Sequence, residues 1–232
     1  MLVRPRAGGG LLVYLTRRSA KSRFMPGAYV FPGGTVDAAD ASAPARARLY
    51  GSVAGAAEEF AIAALRELFE EAGVLVACDA AGDAALVAPE RLALLRRELG
   101  GGMPLATLLE RERLFLDARE LAYYSNWITP ESEPLRFDTH FFIATAPEGQ
   151  SAVADAVEVH DGAWFEPSDA LARADRGELQ IMFPTRKHLE RLAAHDSLAS
   201  LLEHARSRAA IRPILPVVRD KRIEFMPDGE AW

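Results

Sequence analysis

Apolar residues recur at helical spacing from about residue 56 to residue 72. Phe60, Ala64 and Leu68 are four apart, and Ala61, Leu65 and Phe69 flank them. That period predicts an α-helix with one buried stripe. Gly73 follows as a natural C-cap, because a left-handed backbone costs glycine little. Elsewhere the pattern shortens to strand-like runs of apolar, aromatic and β-branched residues at 11–15, 29–31, 74–76, 137–145, 157–159 and 162–165. Pro32-Gly33-Gly34 closes the second run with a strong turn signal. Residues 17–27 are polar and read as irregular.

Residues 37–55 are rich in Ala, Asp, Ser and Gly and read as an inserted loop or loose helix. Residues 89–113 predict a helical insertion of two short helices split by Gly100-Gly101-Gly102, with Pro89 and Pro104 in their first turns. Ser168, Thr185 and Ser197 are predicted to cap helices over 169–175, 186–195 and 198–208. The stretch 214–225 is strand-like and broken by Pro216. Strands alternating with helices in one unit predict an α/β or α+β sandwich, read as a single domain over 1–232.

Composition narrows the class. The chain has 232 residues, 50% of them hydrophobic and 26% charged, enough for one sizeable core or one core with an added helical part. Its net charge of -6, with no dense basic block, argues against nucleic acid as a partner. Cys78 is the sole cysteine, which excludes an internal disulfide and points to a reducing compartment. It follows an apolar run and reads as a buried small hydrophobe rather than a catalytic thiol. No apolar run reaches the roughly 18 residues of a membrane span. Residues 1–6 lack a secretion-type apolar segment, and the last residues are not a peroxisomal address. A cytoplasmic protein without a membrane partner is the expectation.

Glu67, Glu70 and Glu71 carry the candidate chemistry. Offsets of three and four put all three carboxylates on one helical face. Like charges so close repel, unless a hard divalent cation such as Mg²⁺ or Mn²⁺ takes their oxygens. The cluster is thus either a metal platform for phosphate chemistry or a solvated acidic face. The glycine-rich turn upstream favours the platform.

At this point the residues resemble a known family. The run Arg66-Glu67-Leu68-Phe69-Glu70-Glu71-Ala72-Gly73-Val74, preceded after seven residues by Glu58, is similar to the helix half of the Nudix hydrolase box. The glycine that opens that box should stand at position 52, where this chain has Ser52. Gly34 of Phe31-Pro32-Gly33-Gly34 is the candidate, which places the segment 37–55 inside the box as an insertion. Such loop lengthening costs little closure entropy. The resemblance implies an α/β/α sandwich with a mixed sheet and additional helices. It implies hydrolysis of a nucleoside diphosphate linked to another group, with Mg²⁺ or Mn²⁺ held by Glu67, Glu70 and Glu71. Arg66 matches the arginine that holds those carboxylates, a task suited to its planar fork, with a free surface arginine as the alternative. Glu58 matches a box position, and in the first turn it also suits the helix dipole. The backbone at Gly33 and Gly34 can approach the helix or a phosphate closely.

The run from Leu15-Thr16-Arg17-Arg18-Ser19 through Arg23 and Gly27 to Phe31-Pro32-Gly33-Gly34 resembles the motif of coenzyme A-cleaving Nudix enzymes, with Tyr14 in place of a leucine. Arg18 and Arg23 are then candidates to grip a phosphate of a coenzyme A-like substrate, or are solvated loop charges. Ser125-Asn126-Trp127-Ile128-Thr129-Pro130 and Arg136-Phe137-Asp138-Thr139-His140-Phe141-Phe142 are similar to segments of the peroxisomal coenzyme A diphosphatase group. Trp127 reads as core rather than a base stacker, and His140 as a satisfied structural histidine. Asp138 and Thr139 are candidate pocket residues. Glu158 is the candidate general base, with Glu131 and Glu133 as rivals. The expected products are adenosine 3′,5′-bisphosphate and (acyl-)phosphopantetheine. The alternatives are another Nudix substrate (ADP-ribose, NADH or a nucleotide sugar) and a non-catalytic Nudix ligand-binding module. A homodimer is the family's prior.

Overall fold

Successive residues of a strand face opposite sides of its sheet, and the longest strands here are apolar on both. The computed structural model describes residues 1–22, 25–155, 159–208, 210–219 and 222–224. Its strands are β1 (Leu2–Pro5), β2 (Leu11–Arg18), β3 (Tyr29–Val30), β4 (Leu49–Tyr50), β5 (Ala77–Cys78), β6 (Phe115–Asp117), β7 (Leu121–Ile128), β8 (Asp138–Thr145), β9 (Val159–Phe165), β10 (Pro213–Ile214), β11 (Val217–Arg219) and β12 (Arg222–Glu224). Its helices are α1 (Ala43–Arg46), α2 (Glu58–Ala72), α3 (Pro89–Gly100), α4 (Leu105–Glu112), α5 (Pro167–Asp175), α6 (Phe183–Leu192) and α7 (Leu198–Ser207).

The main sheet runs β10-β7-β8-β1-β2-β3, with β9 also paired to β2. It is mixed: β1 lies parallel to β8 and β10 parallel to β7, and the other pairs are antiparallel. Two cores lie on its faces. Tyr14, Tyr123, Phe142 and Ala144 point to a core shared with α2, α3 and α4. Leu11, Val13, Leu15, Tyr124 and Ile143 point to a second core closed by α5, α6 and α7. Burial on both sides explains why β2, β7 and β8 carry apolar runs rather than a clean alternation. The result is the mixed sheet between helical layers that the resemblance implied. Among the described residues no helix is long and apolar enough to cross a membrane.

Several elements differ from the sequence expectation. β2 extends through Arg17 and Arg18, which read as irregular. Residues 74–76 are buried but form no strand of their own. The side chain of Gln150 stands in for a neighbouring strand there: Leu75 N–H donates to its Oε1 at 2.9 Å, and its Nε2 donates to Leu75 O at 2.8 Å. β1, β6 and β7 were not anticipated. α5 and α6 begin before Ser168 and Thr185: Pro167 is the first residue of α5 and Pro184 the second of α6, where a fixed φ suits the helix. Pro104 precedes α4 as its N-cap. Ser197 does cap α7, its Oγ accepting from Ser200 N–H at 3.1 Å. The segment 37–55 holds α1 and β4, and 89–113 holds α3 and α4.

Candidate active site

The buried stripe of α2 includes Ala61, Ile62, Leu65, Leu68, Phe69 and Ala72, which lock one face of the helix into the core. Gly73 ends it at φ 68°, its N–H bonded to Phe69 O at 2.9 Å. This packing fixes the opposite face, which carries Glu67, Glu70 and Glu71.

Arg66 organises that face. A guanidinium has five N–H donors, and all five are used. Nε and Nη2 donate to the two oxygens of Asp40, each at 2.9 Å. Nη1 donates to Glu67 Oε1 at 2.9 Å and to Glu70 Oε2 at 2.7 Å. Nη2 also donates to Thr35 O at 2.8 Å. Burial opposes the charge on Arg66. The hydrogen bond to Asp40 and the charges of Glu67, Asp40 and Glu70 outweigh it and raise the pKa further. Glu71 is held differently: Gly33 N–H donates to its Oε2 at 2.9 Å. Gly34 lies against Glu67, and a Cβ at that position would stand 2.6 Å from Glu67 Cδ and 2.7 Å from Oε2. The Pro-Gly-Gly turn therefore touches the carboxylate face at two successive residues.

The structure thus brings together Arg66, Glu67, Glu70, Glu71, Gly33 and Gly34. Arg18 ends β2, half-buried, with its backbone N–H bonded to Ala28 O at 2.9 Å. Beside this hairpin lies a cavity of about 450 Å³ lined by Arg17, Gly27, Tyr29, Glu178 and Gln180 among others, and among the described residues none of the predicted site residues lines it. Arg23 and Glu158 lie outside the described residues. Glu131 and Glu133 stand exposed on the loop between β7 and β8. Glu58 sits in the first turn of α2 and pairs with Arg46 of α1 at 3.5 Å on the surface. Trp127 is core, packed on Phe183 and His188. His140 is satisfied by Tyr123 Oη at 2.7 Å.

Sequence reading missed Asp40 and Arg96. Asp40 is 2% exposed, and its Oδ2 also accepts from Asp37 N–H at 2.8 Å. The segment read as a loose insertion thus supplies the main anchor of Arg66. Arg96, on α3, donates from Nε to Glu70 O and from Nη1 to Val153 O, each at 2.8 Å. Its signal was an arginine lying four residues from Leu92 and next to Leu95 on an apolar stripe.

Three carboxylates on one helix face form an all-oxygen donor set of the kind hard divalent cations take. Among the described residues no three His, Cys, Asp or Glu side chains already converge as a metal cage. The donor chemistry fits such an ion, and Arg66 meanwhile keeps Glu67 and Glu70 from repelling each other.

The family model of the NUDT19 Nudix domain matches residues 45–192. Acyl-coenzyme A diphosphatase NUDT19 of Gallus gallus is 30% identical over 272 aligned positions, which cover 93% of this chain and 71% of that protein. The Homo sapiens protein of the same name is 30% identical, with 99% of this chain and 74% of its own length covered. A crystal structure of a NUDIX hydrolase from Alicyclobacillus acidocaldarius superposes with a TM-score of 0.77 at 30% identity, over 91% of this chain and 95% of that one. These likenesses make the chain a hydrolase acting on diphosphates. Specifically, the chain belongs to the Nudix hydrolases, in the family of the NUDT19 Nudix domain.

Proposed function

We propose that the protein hydrolyses the diphosphate of coenzyme A or its acyl thioesters to adenosine 3′,5′-bisphosphate and (acyl-)phosphopantetheine. The observation that carries this reading is the gathered carboxylate face, with Glu67 and Glu70 on Arg66 and Glu71 on the Gly33 N–H. The substrate class is supported by two relatives named acyl-coenzyme A diphosphatase. It is supported again by the run from Thr16 to Gly34 that leads into the site.

Glu67, Glu70 and Glu71 are the proposed ligands of Mg²⁺ or Mn²⁺. Bound there, such an ion screens the diphosphate charge and lowers the pKa of a coordinated water. The chain's own residues keep the site in place. Arg66 orients two carboxylates and is itself fixed by Asp40 and Thr35. Gly33 N–H orients the third. Gly34 has no side chain, so the turn can lie against Glu67. Arg18 and Arg23 are proposed to hold substrate phosphate. Glu158 is proposed to take the proton from the attacking water.

A substrate panel with mass-spectrometric products tests the proposal. Coenzyme A should release adenosine 3′,5′-bisphosphate, a chelator should stop the release, and Mg²⁺ or Mn²⁺ should restore it. Turnover of ADP-ribose, NADH or a nucleotide sugar with coenzyme A untouched would move the substrate elsewhere. No turnover of any diphosphate would make the protein a binding module. Glu71→Gln should lower turnover by at least about 100-fold through lost charge at the metal, with an unchanged melting temperature.

A further inference from the structure

Four aromatic rings form a column on the α2 side of the sheet. Phe142 of β8 stacks on Tyr123 of β7, with centroids 5.1 Å apart and planes 28° apart. Tyr123 stacks on His140 at 5.6 Å and 22°. His140 stacks on Phe60 of α2 at 3.9 Å and 18°. The inner end is core, since Phe142 is 4% and Tyr123 8% exposed. The outer end, Phe60, is only half-buried. His140 covers one face of Phe60, and the ring keeps part of its surface open to solvent. The column is fixed from within. Tyr123 Oη and His140 Nδ1 are 2.7 Å apart, and burial pushes the imidazole towards its neutral form against the pull of Asp138.

Phe60 shares a helix face with Ala64, Glu67 and Glu71, at offsets of four, seven and eleven residues. Seven residues of helix rise about 10 Å, so the ring stands about that far along the helix from Glu67. Ala64, half-buried between them, leaves only a methyl on the strip. A nucleoside diphosphate has the matching layout: a flat heteroaromatic base at one end, a sugar, then the charged diphosphate.

We infer that Phe60 is the stacking platform for the heteroaromatic base of the substrate's nucleoside half, with the sugar over Ala64 and the diphosphate at Glu67 and Glu71. This subsite rests on the proposed diphosphate hydrolysis and adds the residue that recognises the base. Stacking is indifferent to which base is bound but requires a base. The platform therefore discriminates nucleotides from simpler phosphates.

Equilibrium binding by calorimetry tests it, with adenosine 5′-monophosphate and ribose 5-phosphate as probes. Phe60→Leu should weaken adenosine 5′-monophosphate about 5- to 150-fold, the equivalent of about 1–3 kcal/mol for one base–aromatic stack. It should leave ribose 5-phosphate unchanged, and Phe60→Trp should bind the nucleotide at least as well as wild type. Phe60→Met, which keeps an apolar side chain but no ring, should show the same selective loss and carries the test if Phe60→Leu does not fold. Wild-type affinity for adenosine 5′-monophosphate in both Phe60→Leu and Phe60→Met, or an equal loss for both probes, overturns the platform. So does a wild-type protein that binds no adenosine 5′-monophosphate. The two readings fail separately: diphosphate hydrolysis by wild type with unaltered binding in the variants removes the platform alone, whereas absence of hydrolysis removes the proposed function.

Discussion

Arg66 uses every donor it carries, and its main partner lies 26 residues away in sequence. Replacing it with methionine would leave Asp40 and Glu67 buried with no cation between them. In chelator, Arg66→Met should cost about 3–5 kcal/mol of unfolding free energy, the scale of a broken buried ion pair. Urea denaturation measures it, and a loss below about 1 kcal/mol would mean the network is slack. Gly34→Ala addresses position rather than charge. Its methyl would overlap the Glu67 carboxylate, and a shift of that size at a reacting centre costs about 100-fold in rate. Turnover should fall accordingly while the melting temperature stays near wild type. At this scale the three glutamates and Arg66 were legible because a helical period fixes which side chains share a face. Asp40 was not, because an Ala- and Asp-rich stretch has no period to say where a carboxylate points.

The helices of the second half were found close to their places, and their starts were set by proline rather than by Ser168 or Thr185. β7 was missed because it is buried along nearly its whole length, so neither alternation nor a bounding turn marks it. Its register also shifts between Tyr123 and Ser125. The carboxyl end of α2 is joined to the rest by a clasp that no local pattern reveals. Val153 N–H donates to Ala72 O at 2.8 Å, and Arg96 ties Val153 O to Glu70 O. Arg96→Met removes both side-chain links and should speed amide hydrogen exchange at Val153 and Gly73 relative to Leu65 in mid-helix. Unchanged protection at Val153 would show that its bond to Ala72 holds the segment alone.

For the molecule as a whole, His188 joins the α6 layer to the sheet. Pro184 O can only accept, so Nδ1 carries the hydrogen, 2.6 Å away, and Nε2 accepts from Ser125 Oγ, also at 2.6 Å. Burial pushes the imidazole down to about 3 from an ordinary 6.5. Between those values the unfolded chain binds the proton and the folded one does not, so stability is complete above 6.5 and is lost as pH falls towards about 3. His140, His195 and His204 shift in the same direction. Urea midpoints at pH 7 and pH 5 should show the drop, and His188→Gln should make it smaller. A midpoint insensitive to pH over that range would contradict the buried neutral ring.

The helix that carries the glutamates is not self-sufficient, because Asp40, 26 residues before Arg66, holds its arginine. Deleting residues 37–55 would strip the guanidinium of its two-pronged anchor. Transplanting α2 alone into a related scaffold would do the same. Engineering this enzyme thus means moving turn, insertion and helix as one piece.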